Sequence, residues 1–196
     1  MLGFGAMTGD EHVLALLESG DDRGAATALL RAHGPAVLRY LRSVLRETAV
    51  ADDAFSLFAE WAWTALPKFQ RGSTLRTWAF GIAWHAARRV SEEAWHKHKE
   101  RLKTGDASRL AAEIRASSVL ELDRQTDRLQ ELRRNLSPED QNLLVLRIDQ
   151  RLSWDEVAAI LAGAGESTSA AGLRKRFERL KERIARMARE RGLVKR

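Results

Sequence analysis

Apolar positions recur along most of the chain at three- and four-residue spacing, the period of helices that bury one face. Asp10 stands where an N-cap belongs, ahead of Val13, Leu14, Leu16 and Leu17, and Ser19-Gly20-Asp21 reads as the turn that ends this first helix. A second helix is predicted from Ala25 to about Arg46, with Val37, Leu38, Leu41, Val44 and Leu45 as its buried stripe and a kink at His33-Gly34-Pro35 interrupting it. A third begins after Asp52 or Asp53, sends Phe55, Phe58, Trp61, Ala62 and Leu66 inward, and stops at Pro67. A loop broken by Pro, Gly and Ser follows. It runs into a helix starting near Ser73, whose core face is Leu75, Trp78, Ala79, Ile82, Ala83 and Ala86.

Between Arg101 and Asp127 the apolar density falls. Arg101, Lys103, Arg109, Arg115 and Arg124 there balance Asp106, Glu113, Glu121, Asp123 and Asp127, and Lys103-Thr104-Gly105-Asp106 reads as a flexible joint. The stretch is a linker with some helix. Periodicity then resumes through Leu129 and Leu132. Ser137 caps the next helix with Pro138 at its first position and Glu139 and Asp140 facing its dipole, and Leu143, Leu144, Leu146 and Ile148 bury it. Asp149-Gln150-Arg151 forms a turn. Ser153 caps another helix with Glu156 three residues on, and Trp154, Val157, Ala158, Ile160 and Leu161 pack inward. After Gly163 to Ser169 a long final helix carries Leu173, Phe177, Leu180, Ile184 and Met187 as its apolar stripe. The pattern predicts an all-α fold of two small helical domains, residues 10–99 and 128–196, joined by a flexible linker over 100–127. The second domain has the layout of a helix-turn-helix.

Composition narrows the partners. The chain has 196 residues, is 44% hydrophobic and 31% charged, and therefore has the means to build a core. Its formal net charge of +6 and pI near 10.1 favour a polyanion, nucleic acid first. The absence of cysteine excludes a disulfide framework, a thiolate zinc site and a cysteine nucleophile. No apolar run approaches the roughly 20 residues that span a bilayer, and the N-terminal residues lack the pattern of a signal peptide, so a soluble cytoplasmic protein is expected.

Two constellations suit nucleic acid. On the fourth helix, opposite its core face, lie Thr77, Gly81, Trp84, His85 and Arg88, an aromatic and cationic surface with almost no carboxylate. Bases stack on indole while phosphates meet arginine; equally, Trp84 fits a core aromatic at a helix–helix contact. From Leu173 onward Arg174, Lys175, Arg176, Arg179, Lys181, Arg183, Arg186, Arg189, Arg191, Lys195 and Arg196 face only Glu178, Glu182 and Glu190. Such a helix suits DNA phosphates, though its period also fits a coiled-coil partner.

Five strings, in order, resemble those of bacterial sigma factors of the extracytoplasmic-function (ECF) type in the sigma-70 family. Trp63-Thr64-Ala65-Leu66-Pro67-Lys68-Phe69 and Leu75-Arg76-Thr77-Trp78-Ala79-Phe80-Gly81-Ile82-Ala83 resemble the family's region 2. Leu136-Ser137-Pro138-Glu139-Asp140-Gln141 through Leu146-Arg147, Leu152-Ser153-Trp154-Asp155-Glu156-Val157-Ala158 and Leu173-Arg174-Lys175-Arg176-Phe177 resemble its region 4. The resemblance implies that the first domain binds the clamp helices of the largest subunit of core RNA polymerase and captures the unwound minus-ten element. The second would read the duplex minus-thirty-five element and touch the polymerase flap. Polymerase would then meet Asp52, Asp53, Ser56, Leu57 and Glu60. Gln70, Arg71, Ser73 and Thr74 would hold a flipped-out base, and Trp84, His85, Arg88 and Arg89 would line the strand. Arg174, Lys175, Arg176 and Arg179 would meet the groove and backbone of duplex promoter DNA. An anti-sigma protein is a further implied partner. The chain departs from the family where Ser56-Leu57 replaces a Gln-Glu pair, where Trp84-His85 replaces Arg-Asn, and where the turn between Leu161 and Leu173 is longer.

Enzymatic readings are weak. His96 and His98 stand two apart on a helix and point in different directions, and no phosphate-cradling loop or nucleophile elbow occurs, so neither a catalytic residue nor a metal or other cofactor is expected. The main alternative is a helix-turn-helix DNA-binding regulator that does not join RNA polymerase.

Overall fold

The computed structural model describes residues 9–45, 47–91, 105–118, 135–163 and 169–191. The fold is all-α, with no strand among these residues. Helix α1 (Gly9–Glu18) closes on the turn at Gly20, whose φ of 78° is a left-handed conformation that glycine adopts without strain. Helix α2 (Asp22–Val44) is capped by Asp21, whose Oδ1 accepts from the Gly24 amide at 2.8 Å. Helix α3 (Thr48–Ala65) runs into a short 3₁₀ turn at Leu66–Lys68, and α4 spans Leu75–Ser91. Helix α5 (Gly105–Ser118) lies within the expected linker.

In the C-terminal part, α6 (Pro138–Leu144) continues into a π turn, Val145–Asp149. Helices α7 (Trp154–Gly163) and α8 (Ala170–Glu190) follow. The caps expected at Ser137 and Ser153 are present, whereas Asp10, expected to cap α1, lies inside its first turn with its carboxylate 2.7 Å from His33 Nε2. Ser137 Oγ accepts from the Asp140 amide at 3.2 Å. Ser153 and Glu156 form a reciprocal capping box, with Ser153 N donating to Glu156 Oε2 at 2.8 Å and Glu156 N to Ser153 Oγ at 3.2 Å. The α8 stripe is as expected: Leu173, Phe177 and Leu180 are buried, and Ile184 and Met187 pack partly buried against the core.

Ile148, expected inward, is 50% exposed in the π turn, whose wider period breaks the α-helical stripe, and α2 and α3 also depart from the sequence expectation. Helix α2 runs unbroken through Pro35, although an interior proline removes one backbone hydrogen bond. Packing holds it on both sides: Leu29, Leu30, Val37, Leu38, Tyr40 and Leu41 are fully buried. Helix α3 starts at Thr48 rather than beyond Asp52 because Asp52 is not a cap. Its carboxylate is held instead by Arg42 of α2, with Nη2 at 3.0 Å.

Helix α2 is the axis of the molecule, with α1, α3, α4 and α5 against it. One continuous apolar core joins Tyr40, Phe55, Phe58 and Phe80 in the N-terminal half to Leu136, Leu143, Leu146 and Leu173 in the C-terminal half. The apolar core is shared, but the polar groups concentrate where the halves meet. Among the described residues the buried polar side chains are Thr77, Gln141, Asn142 and Gln150, and each bonds across that junction. Tyr40 donates to Asn142 Oδ1 at 2.7 Å, and the Gln141 amide donates to the Ser43 carbonyl in the last turn of α2. Arg76 Nη2 donates to the Gln150 carbonyl at 2.7 Å, just beyond the π turn, and Thr77 Oγ1 donates to Glu156 Oε1 at 2.9 Å.

Candidate nucleic-acid interface

Phe69 folds over Trp78, ring centroids 5.4 Å apart, and this contact begins the loop between α3 and α4. Arg71 sits in the left-handed region at φ 56°, unusual for a side chain of its size, while its guanidinium reaches Glu18 Oε1 at 2.6 Å. Gln70 is exposed and Ser73 half-buried. Thr74 has a local role: its Oγ1 accepts from the Thr77 amide at 3.0 Å and caps α4, while its hydroxyl donates to Thr77 Oγ1 at 2.9 Å. The hydroxyls of Thr74 and Thr77 thus form a chain that ends on Glu156. Burial pushes the Glu156 carboxyl up, but hydrogen bonds from Ser153 and Thr77 and the charge of Arg76 outweigh it and hold the group below the ordinary glutamate range.

The face of α4 expected to meet a strand is split by the fold. Thr77 and Trp84 are turned inward, 3% exposed each, so of the two readings open for Trp84 the core one holds. The reason is helix α7, which packs against α4 with Glu156 on Thr77; Trp84 lies about two turns further along the same face. Trp84 Nε1 and Asn142 Nδ2 are buried without a hydrogen-bond partner among the described residues. Each such donor costs about 1–3 kcal/mol.

The other edge of α4 remains open. Half-buried His85 and exposed Arg88 and Arg89 border a cleft of about 400 Å³ whose remaining walls are Trp61 and Ala65 of α3 and Ile82 of α4. An indole, an aliphatic wall and three basic side chains make a surface for a base or sugar beside a phosphate. Trp61, expected inward, packs partly buried against the core and also lines the cleft, a second role the sequence expectation did not give it. The Trp61-Ala62-Trp63 string carries the signal, since α3 buries Ala62 and leaves both neighbouring indoles partly exposed.

On α3 the residues expected to face polymerase are differently placed. Leu57 is 6% exposed, Asp52 is paired with Arg42, and Ser56 accepts a hydrogen bond from Arg115 of α5. Asp53 and Glu60 are half-buried. On α8, Arg174, Lys175 and Arg179 are exposed, whereas Arg176 is drawn to Asp140 of α6 at 2.9 Å, with Arg183 at 3.3 Å on the other carboxylate oxygen. That pairing fastens α8 to α6. The Trp154 indole lies edge-on to Phe177 at 5.3 Å, with Arg147 4.8 Å from its ring centroid.

Nothing among the described residues groups three or more metal-ligating side chains, and no described helix is long and apolar enough to cross a membrane. His96 and His98 lie outside the described residues. Residues 29–97 match the family model for sigma-70 region 2. No curated protein and no solved structure shows significant similarity to the chain. The region 2 match covers α2 from Leu29 through α3 and α4, which are the helices that build the cleft, and supports a sigma-factor role in promoter recognition and transcription initiation.

Proposed function

We propose, from the sigma-70 region 2 in residues 29–97, that this chain is a sigma factor of the ECF type that binds core RNA polymerase and directs promoter recognition, DNA melting and initiation. The observation that carries the reading is the cleft between α3 and α4, where His85, Arg88 and Arg89 stand beside Trp61 in that region. In this reading the cleft takes promoter DNA at the edge of the melted minus-ten element. The neighbouring loop, with Gln70, Arg71 and Ser73, holds an unstacked base. Unstacking costs a few kcal/mol, which stacking and phosphate contacts offset. Asp53, Ser56 and Glu60 mark the polymerase side of α3, with Asp52 held by Arg42 and Leu57 buried beneath them. The exposed Arg174, Lys175 and Arg179 of α8 meet the duplex minus-thirty-five element, and Arg176 joins them on leaving Asp140.

The test is run-off transcription by bacterial core RNA polymerase, with and without the protein, on templates with randomised upstream sequence. The expected result is a set of start sites sharing a two-part upstream motif. A protein that neither co-elutes with core enzyme nor stimulates any transcript overturns the reading, and retained DNA binding would then identify a regulator acting apart from polymerase. A gel shift alone does not discriminate, because a basic chain binds any DNA at low salt.

A further inference from the structure

Helix α5 lies in a groove between α2 and α3, parallel to the first and antiparallel to the second. Its N-terminal Asp106 meets Arg23 near the start of α2 at 2.9 Å, and its C-terminal Arg115 donates to Ser56 in the first half of α3. Along its inner stripe Ala107, Leu110, Ala111 and Ile114 are buried. The contact closes at Gly34. A Cβ there would stand 2.7 Å from Ile114 Cδ1, so in this rotamer the Ile114 methyl occupies the space that a side chain on α2 would take.

Ser56, Glu60 and Trp63 form one stripe of α3 at four- and three-residue spacing. α5 reaches both ends of it. Arg115 bonds Ser56, and Trp63 borders a small polar cavity shared with Asp106, Arg109, Leu110 and Glu113. The stripe covered by α5 is therefore the one that holds Ser56 and Glu60, two of the residues assigned above to polymerase.

We infer that the α2–α3 groove is a helix-accepting site which α5 occupies in the free protein and which core RNA polymerase takes with a helix of its own, displacing α5. The inference rests on the sigma-factor reading. It makes α5 an internal competitor. A helix of 14 residues is marginal in isolation, so α5 loses its order once it leaves the groove, and the apparent affinity for polymerase is reduced by the fraction of molecules in which the groove is open. The groove is suited to exchange, since its polar rim is solvent-exposed, with Arg23 72% and Asp106 35% exposed at the side chain.

The test uses the full chain and two variants that move the equilibrium in opposite directions. Ile114→Glu places a carboxylate in the apolar contact and expels α5. Gly34→Cys with Ile114→Cys, in a chain that has no other cysteine, locks α5 down when oxidised and releases it when reduced. The expected result is that Ile114→Glu binds core polymerase about tenfold tighter than the parent, and that the oxidised double variant binds about tenfold more weakly than its reduced form. Amide exchange over residues 107–114 should be slow in the free protein and fast once core enzyme is added. If Ile114→Glu and the oxidised form bind core enzyme as the parent does, the groove is not the polymerase site and the inference fails while the sigma-factor reading stands. If no form, parent included, binds core enzyme, both fail together.

Discussion

The core helix α2 receives two neighbours by different means. α5 seats on it, and on α3, through alanines, a leucine and an isoleucine that meets a glycine. The C-terminal helices α6 and α7 seat on α2 and α4 through a shared apolar core that also encloses Thr77, Gln141, Asn142 and Gln150. The first junction is apolar along its inner stripe, with its ion pair and hydrogen bond at the rim, so its strength follows mainly from area and shape. In the second, specific hydrogen bonds decide which arrangement is reached, and the Trp84 and Asn142 donors, without a partner among the described residues, weaken it. An apolar seat opens when one large side chain is changed, whereas a polar junction opens when one partner of a buried bond is removed.

The largest effect is expected at Tyr40, which anchors the second junction. It is fully buried, packs edge-on to Phe80 at 5.2 Å and donates to Asn142, and burial raises its phenol well above the ordinary range, so it stays neutral. Tyr40→Ala should lower stability by about 3–5 kcal/mol in urea unfolding followed by circular dichroism. Tyr40→Phe, which keeps the ring and leaves Asn142 unpaired, should lose about 1–2 kcal/mol in the same measurement. Equal losses for the two would place the weight on the hydrogen bond and refute the ranking.

The matching cut at the first junction is Ile114→Ala. It should cost about 2–3 kcal/mol, but locally: amide exchange should accelerate across α5 with little change in α2 or α4. A global shift would mean that the two junctions are one cooperative unit.

Smaller effects sharpen the polar side. Thr77→Val removes the hydroxyl that links Thr74 to Glu156, and should cost about 1 kcal/mol while returning the Glu156 carboxyl towards its ordinary range, as read by carboxyl NMR titration. Acid should act last and least. Because the folded-state value of Glu156 is lowered, its contribution is complete above the ordinary glutamate range and is lost as pH falls through the lowered value. The α4–α7 contact should therefore loosen on acidification before the apolar stripe of α5 does, with amide exchange in α7 rising first.

Much of this architecture was legible from periodicity and caps. The stripes of α2 and α8, the cap at Ser137 and the Ser153–Glu156 box need only side chains a few residues apart on one helix, so local pattern carries them. The start of α3 was misplaced because Asp52 has the chemistry of a cap and the partner of an ion pair, and Arg42 lies on another helix. Pro35 misled for a similar reason, since its local penalty is outweighed by packing along both halves of α2.

At the candidate site the same division holds. Charge and aromatic content pointed to His85 and Arg88 on α4, the family resemblance added Arg89, and all three line the cleft. The sequence alone determined that the chain is helical, where two of its C-terminal helices are capped, which stripes are apolar, and that its surface favours a polyanion. Only the tertiary structure decided which polar groups are enclosed: Trp84 inward and Trp61 at the cleft, Thr77 on Glu156, Arg176 on Asp140, and α5 along the Ser56 stripe. The physical reason is range. Helix propensity and capping act over one turn, whereas the burial of a polar group depends on a partner brought from tens of residues away, as Asn142 is to Tyr40.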